Sequence, residues 1–168
     1  RFDVRRGLIK EVDGSGGLGA LAKEFFDEVE SSSENSFEAS HGVMTSIEAR
    51  YENGAMIVDV TNVPPDFEDP EAMKSAMEDR KRWTAFLDKA TGYNSKQRGD
   101  KAKEWAKKAS KAKSAISAAK HFMEMSESIS EEKKEQAESL IGEIENLLED
   151  NDNTKAAGRA EKLNKLFN

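Results

Sequence analysis

The chain has 168 residues, of which 35% are charged and only 36% hydrophobic, with a mean hydropathy of −0.78. No run is apolar enough to span a membrane, and no segment combines a basic start, an apolar middle and a small-residue cleavage site, so a cytoplasmic location is expected. The chain contains no cysteine, which excludes disulfides, thiolate metal sites and cysteine nucleophiles.

A chain this polar must build a thin, largely helical core, because a helix buries one stripe and leaves the rest wet. In chain order, Phe2-Asp3-Val4 reads as a short strand continuing toward Leu8-Ile9, broken by Gly14-Ser15-Gly16-Gly17. Leu18, Leu21, Ala22, Phe25, Phe26 and Val29 recur at helical spacing. The polar run from Glu30 to Ser36 then reads as a loop. Met44–Tyr51 and Ala55–Thr61 alternate around Glu52-Asn53-Gly54, which predicts a hairpin over 44–51 and 55–62, with Phe37–Ala39 as an added strand. Asp69-Pro70-Glu71 is a helix start: an N-cap side chain, proline at N1 and an acid in the first turn. Met73, Ala76, Met77, Arg80, Trp83, Phe86, Leu87 and Ala90 form its apolar face, with the Arg80 stem covered, and Gly92 stops it.

From Ser95 onward no alternating run remains. Ala102, Trp105, Ala109, Ala112, Ile116, Ala119 and Met123 form a heptad seam rich in alanine. Ser128–Glu132 marks a turn and a new N-cap. Two more helices follow, divided by Asp150–Thr154. The expected fold is therefore α+β: a small antiparallel sheet covered by helices in residues 1–94, then a C-terminal helical bundle extension in 95–168.

Phe86-Leu87-Asp88-Lys89-Ala90-Thr91-Gly92-Tyr93 runs into Ser95-Lys96-Gln97-Arg98. Together with Arg5-Arg6-Gly7 and the Asn53-Gly54 hairpin, this stretch resembles a small archaeal family of unknown function over about residues 1–110. The resemblance implies a fold and a lineage and carries no activity. Ile129–Phe167 is similar in pattern to the helical lid of the seventy-kilodalton heat-shock chaperones, without the ATPase or the peptide-binding sandwich.

Little of the sequence points to chemistry. Gly14-x-Gly16-x-x-Gly19 matches a dinucleotide fingerprint, but a polar loop and an antiparallel hairpin follow it where a parallel βαβ unit is needed. His41 and His121 are the only histidines and do not make a metal site. Ser31–Ser33 with His41 lacks a nucleophile elbow, and Asp150–Asp152 lacks the glycine and terminal glutamate of a calcium loop. No catalytic residue, metal or cofactor is expected.

Charge placement is more informative. Residues 95–120 hold 9 basic and 2 acidic groups, while the net charge of the whole chain is −7. The candidate polyanion-binding residues are Lys96, Arg98, Lys101, Lys103, Lys107, Lys108, Lys111 and Lys113. The competing reading has the acidic helices of 131–149 neutralise this face. The expectation is a non-catalytic binding or scaffold module that meets a protein partner or a second copy through its helical extension. The alternative is a nucleic-acid-binding protein using the lysine-rich helix 96–113.

Overall fold

The structure is a computed structural model describing residues 1–168. Its elements are β1 (Phe2–Asp3), α1 (Leu8–Gly14), α2 (Leu18–Lys23), β2 (Glu28–Ser33), β3 (Ser36–His41), β4 (Met44–Glu52), β5 (Ala55–Asn62), α3 (Pro70–Thr91), α4 (Ser95–Met125), α5 (Glu131–Glu149) and α6 (Asn153–Leu166). The fold is α+β, and no helix is long and apolar enough to cross a membrane. The chain divides into two compact units, Arg1–Lys101 and Ala102–Asn168. The division lies later than the expected 94/95 boundary, because Arg98 at the start of α4 is anchored to Asp88 and to the Tyr93 carbonyl in the first unit.

The first unit is a five-stranded antiparallel sheet in the order β1-β5-β4-β3-β2. Its core joins Leu8 and Val12 of α1, Leu18 and Ala22 of α2, Phe86, Leu87 and Ala90 of α3, and the inward residues of the sheet. Along β4 the inward set is Ile47, Ala49 and Tyr51, opposite Val60, Val58 and Met56 of β5. Strict alternation would turn Met44 outward. A register shift between Met44 and Ser46 turns it inward instead, as a bulge does when it inserts an extra residue.

Two sequence expectations are corrected here. Leu8 and Ile9 belong to a short helix, not to the first strand. The helix expected over Leu18–Val29 ends at Lys23, and Glu30–Ser33, read as part of a loop, belongs with Glu28 and Val29 to strand β2. This strand lies at the sheet edge and is exposed everywhere but at the half-buried Val29, so it has no apolar alternation to announce it.

α3 begins and ends on local signals. The Asp69 side chain accepts from Glu71 N at 3.0 Å, with Pro70 in the first turn. Gly92 takes the left-handed conformation at φ 75° that ends the helix. Just before it, Thr91 Oγ1 donates to Leu87 O at 2.7 Å, and Tyr51 Oη donates to Ala90 O at 2.6 Å. Burial, and secondarily the Asp13 carboxylate, push the Tyr51 phenol well above its usual range, so it remains a donor.

The second unit packs Ala112, Ala115, Ile116 and Ala119 of α4 with Ala137, Ile141 and Ile144 of α5 and Ala156, Ala160 and Leu163 of α6. Ser130 caps α5 by accepting from Lys133 N, and Asp152 caps α6 by accepting from Lys155 N. Ala112, Ile116 and Ala119 of the alanine seam are thus covered inside this unit by α5 and α6, while Ala102 stays exposed.

Candidate functional site

The glycine-rich segment does not have the setting of a dinucleotide loop. The loop follows helix α1 where a fingerprint needs a strand, and α2 has only 6 residues. Its backbone donors are engaged: Gly17 N binds Val12 O at 2.9 Å, and Leu18 N binds Glu34 O at 3.0 Å. Gly19 packs closely against Ser31 of β2.

His41, at the end of β3, stands between two carboxylates. Its Nε2 is 3.4 Å from Asp79 Oδ1, and its Nδ1 is 3.0 Å from Asp27 Oδ2 but out of line for a hydrogen bond. Asp79 is buried on the face of α3 where Arg80 was expected, and its Oδ2 accepts from Val43 N at 3.1 Å. Gly42 lets the carboxylate in, because a Cβ there would lie 2.1 Å from Asp79 Oδ2. The Asp79 carboxylate therefore holds the β3–β4 turn against α3. The serines cannot complete a nucleophilic site with His41. Ser32 and Ser33 bond the Ser36 hydroxyl, at the far end of a strand whose near end pairs Glu28 with Ser40. His121 is exposed on α4. No group of acidic and histidine side chains is arranged to hold a metal ion.

The candidate cations separate into classes. Arg98 is 7% exposed and donates to Asp88 Oδ1, Tyr93 O and Ser95 Oγ. It is a buried clamp, which corrects its place among polyanion-binding residues. Lys96 pairs with Asp100 at 2.9 Å; that hydrogen bond and charge raise the lysine's pKa. The Lys101 ammonium lies 5.7 Å from the Tyr93 ring centre. Within the second unit, Lys108 donates to Thr154 Oγ1 at 3.2 Å and Lys111 pairs with Glu161 at 2.7 Å. Lys103, Lys107 and Lys113 are exposed and unpaired. Neutralisation is thus partial. α6 partners Lys108 and Lys111, while α5 partners only Lys120, through Glu145 at 3.6 Å.

Sequence reasoning missed two surfaces. One is a row of carboxylates across the outer face of the sheet. Glu30 pairs with Glu38, Glu38 with Glu48, and Glu48 with Asp59, all exposed. Strands lie about 4.8 Å apart, and like charges directly opposite destabilise a sheet. Only strand register reveals this row.

The other is an apolar groove of about 450 Å³ beside the end of the β4–β5 hairpin. The bulge brings Met44 to it, with Val60 from β5 and Met73, Met77 and Trp83 from α3. Its lip is the Val63–Phe67 loop, where Phe67 is 73% exposed, and Met77 across from it is 59% exposed. Arg80 is the one charged side chain in the lining. The groove exists because the apolar stripe of α3 extends beyond the sheet that covers its C-terminal half. The sequence holds its parts, since Met73 and Met77 continue the stripe and Pro64-Pro65 lies in an apolar loop, but only the fold brings them together.

No curated protein and no solved structure matches the chain. A family model matches residues 1–104, the sheet unit and the first turns of α4, so the chain belongs to the family described as Domain of unknown function (DUF5611).

Proposed function

We propose that the chain is a non-catalytic binding module whose recognition surface is the groove of the first unit. The observation that supports this is the groove itself. It is concave, apolar and within the roughly 300–1,000 Å³ range of small-molecule sites. Three of its lining residues are methionines, whose soft, unbranched side chains adapt to a ligand. The helical extension acts as scaffold, with Ala112, Ile116 and Ala119 of the alanine seam buried in its own core. Its remaining apolar surface is the end of α4, where Phe122 and Met125 are exposed and the Phe122 ring lies 5.0 Å from that of Phe167. A partner protein or a second copy would contact the extension there. The groove is tested with a neutral environment-sensitive dye such as Nile red. Emission should rise on the wild type and fall to background in Met73→Glu/Met77→Glu, with the helical circular dichroism unchanged. Equal emission from both proteins would place the apolar surface elsewhere.

The free lysines favour a second reading. Lys103 and Lys107 are one turn apart, exposed and unpaired, with Lys113 beyond them. These can neutralise phosphates, with a log–log salt slope of roughly −0.9 per contact on duplex DNA. Fluorescence anisotropy with DNA and RNA at low salt, on wild type and on Lys103→Glu/Lys107→Glu/Lys113→Glu, decides it. Equal and weak binding by both proteins would dismiss nucleic acid.

A further inference from the structure

We infer that the groove takes a small monocarboxylate with an apolar chain, its carboxylate on Arg80 and its chain along Met44, Met73, Met77 and Trp83. The inference rests on the groove being the recognition surface and adds the charge of its ligand. An apolar cleft with one unpaired cation selects for a ligand with one anionic end. Arg80 is the only charged residue lining the groove, is exposed, and has no acceptor in the chain. Its planar guanidinium presents donors in the fork that matches a carboxylate. No acid lines the groove. The Asp79 carboxylate, next to Arg80 in sequence, is buried and engaged elsewhere, accepting from Val43 N at 3.1 Å and lying 3.4 Å from His41 Nε2. A cationic ligand would meet Arg80 with like charge and find no counter-charge in the lining. A neutral one would leave its donors to water.

The test is a titration of the full chain with decanoate, decanol and decyltrimethylammonium below their aggregation concentrations, followed by amide chemical shifts of Val63, Phe67, Met77 and Arg80. Decanoate should bind about tenfold more tightly than decanol, and Arg80→Gln should remove that advantage while decanol binding stays. Because Arg80 is exposed, the variant folds as the wild type does, which its spectrum checks. If decanol matches decanoate on the wild type, or if decyltrimethylammonium binds best, the carboxylate assignment is overturned and the groove reading stands. If none of the three moves the groove amides, the groove reading fails and the carboxylate assignment with it.

Discussion

The two units solve the same problem, enclosing a core with few apolar residues, in opposite ways. In the first, rings carry the core. Phe86 meets Phe26 at 5.1 Å, Phe37 at 5.5 Å, Trp83 at 5.6 Å and Phe25 at 5.8 Å, the three phenylalanines edge-on at 62°, 88° and 68°. Each aromatic brings a large buried area and a geometric preference of its own. In the second, six of the ten buried core residues are alanine, and Ala112, Ala115, Ala119, Ala137, Ala156 and Ala160 let the helices approach closely. Little area is buried per residue, so polar cross-links matter more. Asn153 Nδ2 donates to Trp105 O at 3.0 Å, and Arg159 pairs with Glu143. The ring core should therefore fail when something is removed, and the alanine core when something is added.

Phe86→Ala should have the largest effect. It removes the shared ring from a fully enclosed position, and such truncations cost about 3–5 kcal/mol. Urea unfolding followed by Trp83 fluorescence in a Trp105→Phe background measures it. A loss below about 1 kcal/mol would show that the other rings close over the gap. The mirror experiment is Ala160→Leu, at a fully buried position of α6. Overpacking there should cost about 1–3 kcal/mol. A gain in stability would reveal a void in the helical core and undo the contrast.

The same contrast explains what could be read in advance. The tail was legible as helices because heptad spacing and the Ser130 cap are local signals, and so were the Asn53-Gly54 hairpin and the Asp69-Pro70 helix start. The edge strand β2 was not, because Phe25, Phe26 and Val29 also satisfy helical spacing while Ser31–Ser33 face water. Arg98 was misjudged because its partner Asp88 lies across the helix break at Gly92, where no helical periodicity relates the two. The groove and the carboxylate row depend on register and on how far one helix extends past a sheet, and neither is a local property.

The carboxylate row gives a smaller effect with the opposite sign. Glu48 lies between Glu38 and Asp59, so Glu48→Thr removes two like-charge neighbours and adds a β-branched residue. The first unit should gain about 0.2–1 kcal/mol, and the gain should shrink as salt is added. Destabilisation would mean that Glu48 holds a favourable contact on that face.

The finest comparison is electrostatic and lies in the helical unit. Glu161 accepts a hydrogen bond from Lys111, and this bond and the lysine's charge hold its carboxyl below the 4.5 of a free glutamate. Lys165 adds a smaller pull in the same direction, against weak desolvation. A carboxyl lowered by folding contributes stability above its unfolded pKa, and that contribution is lost as pH falls through the folded value. Because the pair is solvent-exposed, the energetic effect should be slight, but the titration itself is visible. A carbon-detected NMR titration should place the Glu161 midpoint below those of unpaired glutamates. Lys111→Met should return it toward the ordinary value, and so should high salt in the wild type. A midpoint unmoved by Lys111→Met would mean that the pair does not persist in solution, leaving Lys111 as free as Lys107 to meet an outside anion.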